Sequence, residues 1–173
     1  MTERKKPLEG LVVLDLTRVL AGPFAGMMLA DMGARVIKVE NPQGGDDARA
    51  YTPFQNGESA YFMSLNRGKE SVTLNLKHPE GKRILKELAA RADILVENYK
   101  PGTMKKLGLD YDVLSRVNPR LIYAASSGFG QTGPYSDRPA YDLIVQGMGG
   151  LQSITGTDPK HPLKVGSSMA DIL

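Results

Sequence analysis

The stretch "GLVVLDLT" (10–17) constrains the fold more than any other. Leu11, Val12, Val13, Leu14 and Leu16 run almost without a polar break, so a strand made of them needs cover on both faces. That is the pattern of a strand inside a parallel sheet, because a strand with one wet face alternates apolar and polar residues. The segment after it, "PFAGMMLADMG" (23–33), reads as a helix opened by proline and closed by glycine.

The alternation continues along the chain. "ARVIKVE" (34–40), "SVTLNL" (71–76), "DILVENY" (93–99) and "RLIYAASSG" (120–128) read as strands. "PEGKRILKELAARA" (79–92) is the clearest helix, with Ile84, Leu85, Leu88, Ala89 and Ala92 on one stripe. "YDVLSRVN" (111–118) and "YDLIVQGMGG" (141–150) are shorter helical patterns, and "LKVGSSM" (163–169) a last strand or extended piece. Residues 41–70 lack a clear period and predict a long loop. Strands interleaved with helices give an α/β fold, a mostly parallel sheet with helices on both faces. Within it, 10–17 is expected to be internal and its following turn to sit at the ligand-binding edge.

Composition narrows the function. With 41% apolar and 24% charged residues the chain matches a globular domain, and no run approaches the length of a membrane span. "MTERKKPLEG" has no apolar signal-peptide core, and the absence of cysteine excludes disulfides, thiolate metal sites and a cysteine nucleophile. Both features fit a cytoplasmic protein. A net charge of +3 does not point to nucleic acid, but leaves a small anionic ligand open. Arg18, Lys38, Arg67, Lys69, Lys77, Lys105 and Lys106 fall near expected strand ends or loops, where a phosphate-rich ligand would sit; solvated surface charge is the plainer reading.

"GFGQTG" (128–133) matches a dinucleotide fingerprint in letters, but Pro134 and Pro139 prevent a helix from starting there. Gly128, Gly130 and Gly133 are better read as a glycine-rich active-site loop whose backbone approaches a ligand. "RVLAGPFAG" (18–26) links the first strand to the first helix, and Glu40 ends the second strand as a ribose-binding acid would. Each also has an ordinary reading, as a plain βα turn and a solvated glutamate. His78 and His161 precede prolines in turns, a poor setting for metal or catalysis. Carboxylates are left as nucleophile candidates, among them Asp171 behind the small-residue run "GSSMA"; a cap or solvated role is the plainer reading there too.

Five segments then carry a resemblance. "PLEGLVVLDLTRVLAGPFAGMMLADMGARVIKVENPQGGD", "LNRGKESVTLNLKHPEGK", "ADILVENYKPGTMKKLGL", "NPRLIYAASSGFGQTGP" and "RPAYDLIVQGMGG" together resemble the class III CoA-transferases, the family that includes formyl-CoA:oxalate CoA-transferase, carnitine CoA-transferases and α-methylacyl-CoA racemase. The resemblance implies a Rossmann-like large domain, a smaller domain and an interlocked homodimer. Residues 1–173 would be the N-terminal part of the large domain, cut just after the nucleophile and inactive alone, with the small domain and the C-terminal return absent from the chain. It also implies CoA and acyl-CoA as substrates with a carboxylic acid acceptor, and no permanently bound cofactor, metal, membrane or nucleic acid.

By the same resemblance Asp171 is the nucleophile that becomes an aspartyl-CoA thioester. Arg18, Val19, Leu20, Ala21, Lys38, Leu74, Lys77, Asn98, Tyr99 and Lys106 are CoA-contacting positions. The racemase branch carries a histidine before the aspartate of the segment matching "AYDLIV", where this chain has Tyr141. A tyrosine, with an ordinary pKa of about 10, is a poor base for an α-proton, so CoA transfer is the expected activity. A non-catalytic CoA-binding fragment and, more remotely, a dinucleotide oxidoreductase are the alternatives.

Overall fold

The computed structural model describes residues 5–158 and 160–172 and divides the chain into two compact units, 1–126 and 127–173. The first contains β1 (Val12–Asp15), α1 (Ala21–Asp31), β2 (Arg35–Glu40), the short strands β3 (Phe54–Gln55) and β4 (Glu58–Ser59), α2 (Ala60–Asn66), β5 (Lys69–Thr73), α3 (Pro79–Ala89), β6 (Ile94–Glu97), α4 (Thr103–Leu107), α5 (Tyr111–Val117) and β7 (Ile122–Ala125). The second contains α6 (Asp142–Met148) and α7 (Met169–Ile172).

Five strands form one parallel sheet in the order β5-β2-β1-β6-β7, with β1 at its centre. The apolar run at 11–16 is internal, as its pattern requires. Successive residues of β1 face opposite sides, and both sides are covered. Val13 packs with Val36, Val96 and the α1 residues Leu29 and Ala30. Leu14 and Leu16 pack with Leu85 of α3, Leu95 and Leu114 of α5. α1 lies so close to β1 that a Cβ on Gly26 would sit 2.6 Å from the Asp15 carboxylate. The strand order turns back between β1 and β6, which makes their carboxyl ends the natural ligand crevice.

Several element boundaries differ from the expectation. α1 begins at Ala21, so Pro23 sits third in the helix, where its missing N–H costs nothing because first-turn donors have no partner in the helix. Strand pairing in β5 ends at Thr73, which frees 74–77 to turn across the sheet edge. The expected loop at 41–70 holds a 3₁₀ turn (Asp47–Ala50), the β3–β4 hairpin and α2. Asn56 and Gly57 both take positive φ in that hairpin, and Ser59 Oγ caps α2 by accepting from the Phe62 N–H at 3.1 Å. α4 is an unexpected helix, closed by Gly108 in the left-handed region. Residues 163–168 pair with no strand, and α7 begins after them.

Candidate functional site

A cavity of about 840 Å³ opens at the carboxyl edge of the sheet in the first unit. Thr17 and Arg18 after β1, Val39–Asp47 at the end of β2 and in the loop after it, Leu74–Lys77 after β5, and Tyr99, Thr103 and Leu107 beyond β6 surround it. Parallel strands all deliver their chain ends to one edge, which is why residues so distant in sequence converge there.

Arg18 stands at the rim with its guanidinium 5.5 Å from the centre of the Tyr99 ring and its Nη1 3.0 Å from Asp47. Lys77 is exposed beside the cavity, and Leu74 is buried in its wall. The acidic side chains around the cavity are mostly engaged internally. Glu40 accepts hydrogen bonds from Arg49 Nε and Nη2, Ser71 Oγ and the Asp46 N–H. Burial pushes its pKa up, but these donors and the Arg49 charge outweigh that and hold it at about 2. At the end of β6 the buried Glu97 has no cation partner among the described residues, and burial raises its pKa against the Tyr99 N–H and Tyr123 hydroxyl.

Four of the expected CoA positions, Arg18, Leu74, Lys77 and Tyr99, line this cavity. Val19, Leu20 and Ala21 form the turn directly after it, where Leu20 at the cap of α1 offers no side-chain acceptor. Lys106 is exposed on α4, next to the lining residue Leu107. At two other expected positions the side chains are engaged within the protein. Lys38 is not presented to a ligand: its ammonium is buried, 2.8 Å from Asp46 Oδ2, and it donates to the Thr17 carbonyl at 2.8 Å. The Asn98 amide is used at both ends, its Oδ1 accepting from Arg18 N–H and its Nδ2 donating to Arg18 O, each at 2.8 Å.

The cationic edge thins accordingly. Lys69 is buried against Asp15 at 2.7 Å, where desolvation lowers its pKa against the attraction of that carboxylate. Arg67 pairs with Asp31 at 2.6 Å. Arg18, Lys77, Lys105 and Lys106 are left at the surface. His78 Nδ1 accepts the Glu80 N–H to cap α3, and His161 faces Asp158, so each histidine has a local structural task. Neither helps form a metal cluster among the described residues. Sequence reading missed Asp46, which lies in the stretch taken for a loop. Its Oδ1 accepts from Val19 N–H at 3.1 Å and Ala48 N–H at 2.9 Å.

In the second unit Asp171 lies in α7, its N–H donating to Ser168 O. Partial burial raises its pKa, and the Asp142 carboxylate adds to the rise. The backbone ahead of it is held by two buried polar residues of α6. Asp142 accepts from Ala170 N–H at 3.0 Å and from Gln146 Nε2, while Gln146 Oε1 accepts from Val165 N–H at 2.9 Å. The glycine loop folds on itself: Gly130 and Gly133 take positive φ, and a Cβ on Gly128 would fall 2.1 Å from that of Ala140. No helix starts between the loop and Asp142, so the loop lacks the helix N-terminus of a dinucleotide site.

The family model described as CoA-transferase family III matches residues 8–173. The chain belongs to that family. It is 52% identical to the succinate–glutarate CoA-transferase of Agrobacterium fabrum, over 99% of this chain and 45% of that protein. It is also 52% identical to the acetyl-CoA:oxalate CoA-transferase of Acetobacter aceti, over 97% and 43%. A crystal structure of a CAIB/BAIF family protein from Brucella suis superposes with a TM-score of 0.92 at 46% identity, over 98% of this chain and 46% of that one. The sequence thus spans less than half the length of these relatives, and its α/β fold is that of the matched part of the Brucella suis structure.

Proposed function

We propose that the complete protein is a CoA-transferase that moves CoA from an acyl-CoA donor to a carboxylic acid acceptor through Asp171. The observation that carries this reading is the combination of a family match reaching residue 173 with a carboxyl-edge cavity wide enough for a nucleotide. Arg18 and Lys77 would meet the CoA phosphates, while Leu74 and Tyr99 supply apolar wall. Relatives whose names specify succinyl, glutarate or oxalate groups favour a dicarboxylate as acceptor.

In this mechanism the Asp171 carboxylate attacks the thioester carbonyl and the C–S bond breaks, giving a mixed anhydride and CoA thiolate. The thiolate attacks the aspartyl carbonyl, expels the donor carboxylate and leaves an aspartyl-CoA thioester. The acceptor carboxylate attacks that thioester, the C–S bond breaks, and a second anhydride forms with release of CoA thiolate. Thiolate attack on the acceptor carbonyl then releases the new acyl-CoA and regenerates Asp171. Burial and the neighbouring Asp142 keep Asp171 more basic than an ordinary aspartate, which favours nucleophilic attack once it is ionised. The homodimer belongs to this proposal, as does the expectation that the 173 residues alone do not turn over.

The test uses the full-length chain. Hydroxylamine added to enzyme and succinyl-CoA should convert Asp171 to a hydroxamate, read as a mass shift on its peptide. Asp171→Ala and Asp171→Asn should each lower kcat by more than about a thousandfold, with CoA affinity nearly unchanged. Full turnover in both variants and no adduct in the wild type would remove Asp171 from the reaction. The racemase reading is disfavoured by Tyr141, an exposed tyrosine at the cap of α6 where that branch places its histidine.

A further inference from the structure

Val19 sits in the turn between β1 and α1 at φ +70°. Asn56, the other non-glycine residue with positive φ among the described residues, is of a type that tolerates it; a β-branched valine is not. A residue stays in such a conformation only where its surroundings over-determine it. Here consecutive backbone groups are held by side chains from separate parts of the first unit. Lys38 of β2 takes the Thr17 carbonyl, Asn98 beyond β6 takes both the N–H and the carbonyl of Arg18, and Asp46 takes the N–H of Val19. Lys38 also neutralises Asp46, so the clamp adds little negative field to the cavity beside it.

We propose that Asn98 and Asp46 are positioning residues for CoA recognition: they hold Val19 in the left-handed region, so that the 18–21 turn meets the ligand already formed. This rests on the CoA reading above. Asn98 then acts through Arg18 and Val19 and does not touch CoA with its amide. Released from the clamp, Val19 relaxes to negative φ, and the ligand must draw on a minor population of correctly formed turns. Apparent affinity falls by that population. A glycine at position 19 populates positive and negative φ about equally, so it has little to lose from the same release.

The experiment is a double-mutant cycle in the full-length protein, with CoA affinity measured by calorimetry and KM and kcat measured with succinyl-CoA. Asn98→Ala should weaken CoA binding about tenfold in the wild-type background and about twofold in the Val19→Gly background. The loss should appear in KM, with kcat at saturating succinyl-CoA unchanged. Asn98→Asp keeps the acceptor for Arg18 N–H and loses the donor, so its effect should be intermediate; this near-isostere carries the cycle if the alanine variant does not fold. Equal losses in both backgrounds would mean that Asn98 touches the ligand directly, and would overturn the proposal, as would a loss confined to kcat. If the wild-type chain binds no CoA, the functional reading fails and the clamp is judged alone by a crystal structure of the Asn98 variant. Val19 at negative φ there supports the clamp, and Val19 still near +70° overturns it.

Discussion

The two units are held together by different means. In the first, a sheet covered on both faces buries Leu14, Leu85, Leu95 and Leu114; the buried ion pair Lys38–Asp46 ties β2 to the loop after it, and Lys69–Asp15 joins β5 to β1, with Lys69 also donating to Pro23 O of α1. In the second, none of the described hydrophobic residues is fully buried: Tyr141, Leu143, Ile144, Met148, Ile154 and Leu163 are all exposed, and the buried side chains are the polar Asp142 and Gln146. An apolar core gains stability roughly with the area it removes from water, whereas a polar pair gains little beyond the cost of removing it from water. The first unit therefore carries its own stability, and the second is organised mainly by a hydrogen-bond network around one helix. The difference matches the roles proposed above: a platform for CoA in the first unit, and a locally held segment bearing the proposed nucleophile Asp171 in the second.

The comparison breaks first if the buried pairs of the first unit turn out to be dispensable. Lys38→Met strands the Asp46 carboxylate and the Thr17 carbonyl in the interior and should cost about 3–5 kcal/mol in urea unfolding. Arg35→Met serves as the control, because it breaks the exposed pair with Glu70 and should cost less than about 1 kcal/mol. Similar costs for the two would remove the distinction between anchoring and surface pairs.

Glu40 sharpens the same point through pH. Its pKa is lowered in the fold, so its contribution is present above the unfolded value of 4.5 and is lost as pH falls toward 2. Glu40→Gln should cost roughly 3 kcal/mol at pH 7, and the gap to wild type should close between pH 4.5 and 2. A gap that does not change with pH would show that the ionised carboxylate is not what anchors the loop.

The smallest effect is expected in the second unit. Gln146→Ala removes the acceptor of Val165 N–H and a donor to Asp142, and should cost about 1–2 kcal/mol locally. Hydrogen exchange should quicken at Val165 and Ala170 while amides of β1 and β6 stay protected. Loss of protection in β1 as well would mean that the two units unfold as one.

Much of the platform was legible in the sequence. The run at 11–16 announced a doubly covered strand, and the periodic stripe of 79–92 announced α3, because both patterns follow from local geometry alone. The stretch 41–70 was less legible, though it held two local signals that went unread: Asn56-Gly57 for a hairpin and Ser59 for a helix cap. Of the CoA positions that the resemblance implied, Arg18, Leu74, Lys77 and Tyr99 line the cavity, because residues after parallel strands converge on one edge.

By itself, then, the sequence determined the alternation of the five sheet strands with α1, α3, α5 and α6, and the internal place of β1. Tertiary structure alone decided which charges border the cavity. Lys38 and Lys77 are the same residue type near strand ends, yet one is buried against Asp46 and the other borders the cavity. Asn98, eighty residues away from Arg18, became its clamp. A side chain's partner depends on what the fold brings within about 3 Å, and in a parallel sheet those neighbours come from distant parts of the chain and leave no local pattern to read.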